Sequence, residues 1–163
     1  MAKLLLVDME KCTGCKQCSL ACSLTKEDIF DPQRGRIKVY KKEDIALGVQ
    51  LLCEQCDNYP CVEACPEGAL TRDEKTGIIT VDFDTCNECG TCVDACPYHA
   101  IRLHPETSKA LICDLCGGDP YCVYHCVPGA LQWVDATDEL VKGKKKLRSA
   151  RMAAYREVAK EAA

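Results

Sequence analysis

Sixteen cysteines in four blocks of four constrain this chain more than any other feature: Cys12, Cys15, Cys18 and Cys22; Cys53, Cys56, Cys61 and Cys65; Cys86, Cys89, Cys92 and Cys96; Cys113, Cys116, Cys122 and Cys126. No cysteine lies outside a block. The first and third blocks read C-x2-C-x2-C-x3-C, the second C-x2-C-x4-C-x3-C and the fourth C-x2-C-x5-C-x3-C. This is the ligand pattern of a cubane iron–sulfur cluster, repeated four times. It predicts four [4Fe-4S] clusters, with every cysteine a metal ligand.

The rest of the composition agrees. A chain of 163 residues with 2 Phe, 1 Trp and 3 Met has few large side chains with which to fill a core. Metal ligation supplies what the core lacks, because ligands that converge only in the folded chain turn binding energy into folding energy. The metal-free chain is therefore expected to be largely unfolded. A disulfide scaffold is the competing use of so many cysteines. Against it, the short apolar run Leu4 to Val7 is followed by Asp8 and Glu10, unlike a secretion signal. No stretch approaches the roughly 18 apolar residues of a membrane span. A cytoplasmic location without membrane insertion is the expectation. Zinc also accepts four thiolates, but its sites usually separate two C-x2-C pairs by a dozen or so residues, whereas each block here is continuous.

The formal net charge of −4 divides unevenly: about −8 on residues 1–136 and +4 on residues 137–163, which hold 8 Lys/Arg against 4 Asp/Glu. Cluster-bound thiolates make the body more acidic still. Nucleic-acid binding by the body is disfavoured, and docking against a basic surface is favoured. A zinc-binding interaction module with a nucleic-acid-binding tail is the alternative from another class. The tail's mixture of bases, acids and apolar residues argues against it.

Short strand signals flank the blocks: Leu4 to Val7, Ile78 to Val81, Ala110 to Ile112 and Leu131 to Val134. Ala69 to Thr71 and Ile78 to Val81 read as a hairpin around a turn at Asp73 to Gly77, and Ile101 to Leu103 with Ala110 to Ile112 as another. Residues 23–52 form an insertion, with strands expected over Arg36 to Tyr40 and Ile45 to Leu52. After Val134 the pattern becomes helical. Thr137 is the expected cap, Gly143 an interruption, and Met152, Tyr155, Ala159 and Ala162 one narrow apolar stripe. That stripe either caps the chain's own body or straps the tail onto a partner or a second copy. Deleting residues 137–163 is expected to leave the clusters intact and to weaken assembly.

In C-x2-C-x2-C three sulfurs fall on one tight loop, where backbone N–H groups can donate to them and Gly14, Gly90 and Gly117 relieve crowding. If the next four residues are helical, the fourth cysteine lies one turn on, displaced by roughly 6 Å. That offset lets it reach a different cluster, as it does in two-cluster ferredoxins, so blocks work in pairs. Pro66 and Pro97 follow Cys65 and Cys96, as in bacterial ferredoxins, whereas Ser23 follows Cys22 and Val127 separates Cys126 from Pro128.

With Cys-Glu-Gln-Cys-Asp-Asn-Tyr-Pro-Cys-Val-Glu-Ala-Cys-Pro at 53–66, residues 3 to 134 resemble the four-cluster electron-transfer subunit family typified by the iron–sulfur subunit of dimethyl sulfoxide reductase. The resemblance implies an α+β fold of two nested bacterial-ferredoxin-like modules within residues 1–136, with short β-hairpins and helices, followed by a basic helical tail over 137–163. Blocks one and four would form the outer module and blocks two and three the inner one. It also implies crossed ligand sets: Cys12, Cys15, Cys18 with Cys126; Cys113, Cys116, Cys122 with Cys22; Cys53, Cys56, Cys61 with Cys96; and Cys86, Cys89, Cys92 with Cys65. The first and last strands would then pair across the outer module.

His99, His104 and His125 lack the context of a catalytic base, and surface or packing roles are expected for them. Packing is also expected for Tyr59, Tyr121 and Trp133. No nucleotide, nicotinamide or flavin fingerprint and no nucleophile elbow is present. The chain is thus expected to be a non-catalytic electron-transfer subunit, relaying single electrons between a catalytic redox subunit and an acceptor subunit or soluble carrier. The compact form is similar to the small iron–sulfur subunits of tungsten aldehyde oxidoreductase complexes. That resemblance implies a tungsten pterin partner first, a molybdenum pterin enzyme, hydrogenase or carbon monoxide dehydrogenase next, and copies stacking through the tail. A free polyferredoxin is the remaining electron-transfer alternative.

Overall fold

A computed structural model describes residues 3–42 and 47–161. Among these, eight short strands pair into four two-stranded antiparallel sheets, and five α-helices lie between or after them. The class is α+β. Strand β1 (Lys3–Val7) pairs with β8 (Leu131–Asp135), with Leu5 opposite Trp133, which ties the two ends of the cysteine-bearing region together. The hairpin of β4 (Leu70–Arg72) and β5 (Ile79–Val81) forms around the expected turn. There Asp73 Oδ1 accepts from the backbone of Lys75 and Thr76, and Gly77 N donates to Asp73 O. The shorter pair β6 (Arg102–Leu103) and β7 (Ala110–Leu111) repeats the arrangement.

Helix length follows what comes after each block. Helices α2 (Pro60–Glu63), α3 (Thr91–Ala95) and α4 (Tyr121–Tyr124) carry the third cysteines Cys61, Cys92 and Cys122. They stop just short of Cys65, Cys96 and Cys126, where Pro66, Pro97 and Pro128 cannot continue a helix. After Cys22 there is no proline. Helix α1 (Gln17–Glu27) therefore holds both Cys18 and Cys22 and runs on into the segment read from the sequence as an insertion. The buried Ser23 Oγ donates to Leu20 O and receives Asp31 N.

Within that insertion, β2 (Lys38–Lys42) pairs with β3 (Leu47–Leu51). The first strand begins two residues later than expected because Arg36 and Ile37 are committed to α1: Arg36 N donates to Cys22 Sγ at 3.2 Å and Ile37 O accepts from Ser19 Oγ at 2.7 Å. Ile45, expected to open the second strand, lies outside the described residues.

The chain ends in α5 (Asp138–Glu161), capped by Thr137 Oγ1, which accepts from Leu140 N. Gly143 does not interrupt it. An interior glycine costs about 1 kcal/mol relative to alanine, and the docking of the helix face outweighs that. Met152 and Val158 are buried against Val49 and Leu51 of β3, and Tyr155 meets Tyr40 at 5.2 Å between ring centres. The described part of the apolar stripe is thus turned onto the chain's own body; Ala162 lies outside the described residues.

Candidate iron–sulfur cluster sites

Each block folds its C-x2-C segment in the same way. The residue just before the second cysteine is left-handed in all four: Gly14 at φ 70°, Gln55 at 51°, Glu88 at 66° and Leu115 at 52°. For three non-glycine residues this conformation carries a steric cost of about 1–2 kcal/mol each. In the first, second and fourth blocks the turn aims that residue's N–H back at the first sulfur: Gly14 N donates to Cys12 Sγ and Gln55 N to Cys53 Sγ, both at 3.4 Å, and Leu115 N bonds Cys113 in the same way. Only the first block uses glycine there, where an added Cβ would lie 2.7 Å from the Lys41 side chain and force it to shift.

Further donors converge on the fourth cysteines. Cys22 Sγ accepts from Arg36 N at 3.2 Å, Cys96 Sγ from Ala100 N at 3.4 Å and Cys126 Sγ from Leu131 N at 3.3 Å. Sulfurs that collect N–H donors are arranged to carry negative charge.

The thiols gather across block boundaries. Cys12 and Cys18 lie within electrostatic reach of Cys15 and of Cys126. Cys122 is reached by Cys113, Cys22 and Cys116. Cys61 is reached by Cys96 and Cys56, and Cys53 by Cys56 and Cys61. Cys92 is reached by Cys65 and Cys86, while Cys89 stands exposed with its sulfur 3.3 Å from Thr91 Oγ1. Electrostatic reach also links one group to the next: Cys18 with Cys122, Cys113 with Cys53, and Cys61 with Cys92.

The cores are built around the same groups. One packs Cys18, Cys22 and Cys122 with Leu5, Val7, Ile37 and Leu131; another packs Cys53, Cys61 and Cys92 with Leu70, Ile79, Ile101 and Ile112. Cys22, Cys113, Cys116 and Cys122 line one apolar pocket whose other walls include Ile37, Leu52 and Pro120.

Burial, with neighbouring thiols adding, pushes Cys18 up to about 12 and Cys61 and Cys92 up to about 11. Burial likewise pushes Cys113 up to about 12 and raises Cys53 and Cys122. Metal-free, these thiols keep their protons at neutral pH, and a cationic group has to displace them. Among the described residues no three Cys, His, Asp or Glu converge closely enough to hold a single ion. A cubane requires wider spacing, because its four thiolates bind four separate irons. All-cysteine donors, apolar walls and N–H groups aimed at sulfur together fit [4Fe-4S] clusters.

The remaining singled-out residues take packing or surface positions. His104 is buried, with Nδ1 accepting from Glu106 N and Thr107 N and Nε2 donating to Glu27 at 3.0 Å. His99 packs on Tyr155, and His125 is exposed beside Cys126. Tyr59 and Trp133 pack against the cores. Tyr121 does not: it is 47% exposed and meets Tyr124 edge-on.

Sequence reasoning overlooked two features. Gln55 joins separate parts of the body, donating to Cys113 O at 2.6 Å and accepting from Ile79 N at 2.9 Å. Gly48 lets β3 press against the first block, where an added Cβ would lie 2.5 Å from Cys12 Sγ. A glycine inside a strand is a signal of close approach, but the sequence does not say to what.

The 4Fe-4S dicluster domain matches residues 47–136 and a 4Fe-4S binding domain matches residues 9–26. The chain is 44% identical over 122 residues to the polyferredoxin-like subunit of aliphatic sulfonate oxidoreductase from Pyrococcus furiosus, covering 75% of this chain and 70% of that one. It is 36% identical to the thiosulfate reductase electron transfer subunit PhsB of Salmonella typhi, covering 79% and 73%. It is 39% identical to the NADH-dependent phenylglyoxylate dehydrogenase subunit beta of Aromatoleum evansii, covering 78% of this chain but spanning only 29% of that larger protein.

Proposed function

The chain belongs to the 4Fe-4S dicluster domain family, and on that footing we propose that it is a non-catalytic electron-transfer subunit of an oxidoreductase complex, with four [4Fe-4S] clusters on its sixteen cysteines. When bound, each cluster supplies one-electron exchange. The observation that carries the reading is the gathering of thiols across blocks, with Cys126 beside Cys12 and Cys18, Cys22 beside Cys122, Cys96 beside Cys61 and Cys65 beside Cys92. It supports the crossed ligand sets, and the cysteine content of the cores supports the nesting of an inner module, from blocks two and three, within an outer one.

The electrostatic reach from one group to the next supports a single-file order of sites, starting from the group of Cys12 and ending at that of Cys92. Cys15 and Cys89, the exposed cysteines, stand at opposite ends. Electrons enter and leave at these ends, and the interior sites are shielded from solvent and from side reactions. The relatives, an oxidoreductase subunit and a reductase electron transfer subunit, support a catalytic partner for this chain as well. We assign that partner as a tungsten or molybdenum pterin enzyme, the tungsten aldehyde oxidoreductase type first, on the strength of the family resemblance. No described helix is long and apolar enough to cross a membrane, and we assign the complex to the cytoplasm. Self-association, in this reading, uses the outer basic face of α5, because its described apolar stripe is occupied by the body.

The test is to isolate the complex anaerobically from its own cells and to analyse the co-purifying subunit for metals. Stoichiometric tungsten is expected. Molybdenum or nickel would redirect the partner assignment, and a chain recovered alone would favour a free polyferredoxin.

A further inference from the structure

The inner face of α5 carries three cations, Lys144, Arg148 and Arg151, at i, i+4 and i+7, a spacing that aligns them on one side of the helix. All three face the ligand loop of the second block. Lys144 Nζ donates to Glu54 O at 3.1 Å and lies 3.7 Å from Glu54 Oε2. Arg151 pairs with Glu54 Oε1, and Glu54 sits between Cys53 and Cys56. The Arg148 guanidinium lies over the Tyr98 ring at 4.7 Å. Cys56, Lys144 and Arg148 line one crevice together with Asp57 and Lys145. The charges of Lys144 and Arg148 both act on Cys56.

We infer that α5 is an electrostatic tuning element for one site of the wire: Lys144 and Arg148 raise the reduction potential of the cluster held by Cys53, Cys56, Cys61 and Cys96. The inference rests on the four-cluster reading above. Reduction adds negative charge to a site already surrounded by thiolates, so a nearby fixed cation stabilises the reduced form more than the oxidised one. Glu54 and Asp57 oppose the effect, but against three inward cations they leave a net positive charge. Among the described residues no carboxylate pairs with Arg148, so its charge is the least compensated. The comparable cation at Cys22, Arg36, is paired with Glu27 at 3.3 Å. Arg151 is a positioning residue that fixes the helix through Glu54.

An EPR-monitored redox titration of the full, cluster-loaded chain tests this. Four reduction waves are expected, and in Arg148→Gln one of them moves to lower potential while three stay in place. The moving wave is the one altered in Cys61→Ser. Lys144→Gln moves the same wave, and the charge-retaining Arg148→Lys returns it towards its original position, which a purely structural role would not produce. Four waves unmoved by either Gln substitution, or all four displaced together, would overturn the inference while the four-cluster reading stands. Absence of any wave that responds to Cys61→Ser would overturn both.

Discussion

Arg151 on the last helix is ion-paired with Glu54, inside the ligand loop of the second cysteine block, and the two side chains are only 3% and 2% exposed. The pair is incompletely satisfied, since among the described residues Glu54 Oε2 and Arg151 Nε have no hydrogen-bond partner. Breaking a buried pair costs up to about 3–5 kcal/mol, and removing Arg151 leaves the buried Glu54 with Lys144, at 3.7 Å, as a partial counterion. Arg151→Ala is therefore expected to lower the denaturant midpoint of the cluster-loaded protein substantially. The double variant Glu54→Leu/Arg151→Met should recover much of the loss. An unfolding curve of Arg151→Ala superimposed on that of the unsubstituted protein would contradict this.

Crossed ligation predicts lesions at a distance in sequence. Cys126→Ser should alter the cluster of Cys12, Cys15 and Cys18, and Cys22→Ser that of Cys113, Cys116 and Cys122. Low-temperature EPR of the two variants should show different clusters affected. A lesion confined to the mutated block's own cluster would contradict the assignment.

Gly48→Ala puts a methyl group 2.5 Å from Cys12 Sγ and 2.7 Å from Gly14 N. Neither neighbour can retreat freely, and overpacking of this kind costs about 1–3 kcal/mol. The variant is expected to lose iron first from the Cys12 site on mild chelation, with the other sites retained. Uniform iron loss would argue against a local effect.

Removing residues 137–163 has broader consequences than composition alone suggested. It uncovers Val49 and Leu51, deletes the buried Met152 and Val158, each worth about 1.5–3 kcal/mol, and leaves Glu54 without its counterion. The truncated chain should release iron from the Cys53 site faster than from the Cys12 site, measured by chelator kinetics. Equal rates at all sites would mean that α5 contributes nothing locally.

The cysteine blocks and the hairpins were legible in the sequence because each has a local signal, fixed ligand spacing or a turn such as Asp73 to Gly77, whereas the pairing of the first strand with the last was implied by the family resemblance. The length of α1 was less so, since it depends on proline being absent after Cys22. The apolar stripe of α5 was visible, but its target was not. Lys144, Arg148 and Arg151 share a helical face, yet a cationic face usually points to water. It becomes an inward face only once β3 and the loop at Cys53 to Cys56 are in place. The left-handed turns at Gln55, Glu88 and Leu115 carry no residue-type signal, because cluster-loop geometry imposes them on side chains that do not favour them.

The most direct test of the account is the content of iron and acid-labile sulfide per chain in protein purified anaerobically. About sixteen of each, with no zinc, is predicted for four cubane clusters. About eight of each would mean that half of the cysteines serve another purpose, and zinc without sulfide would contradict the electron-transfer function outright.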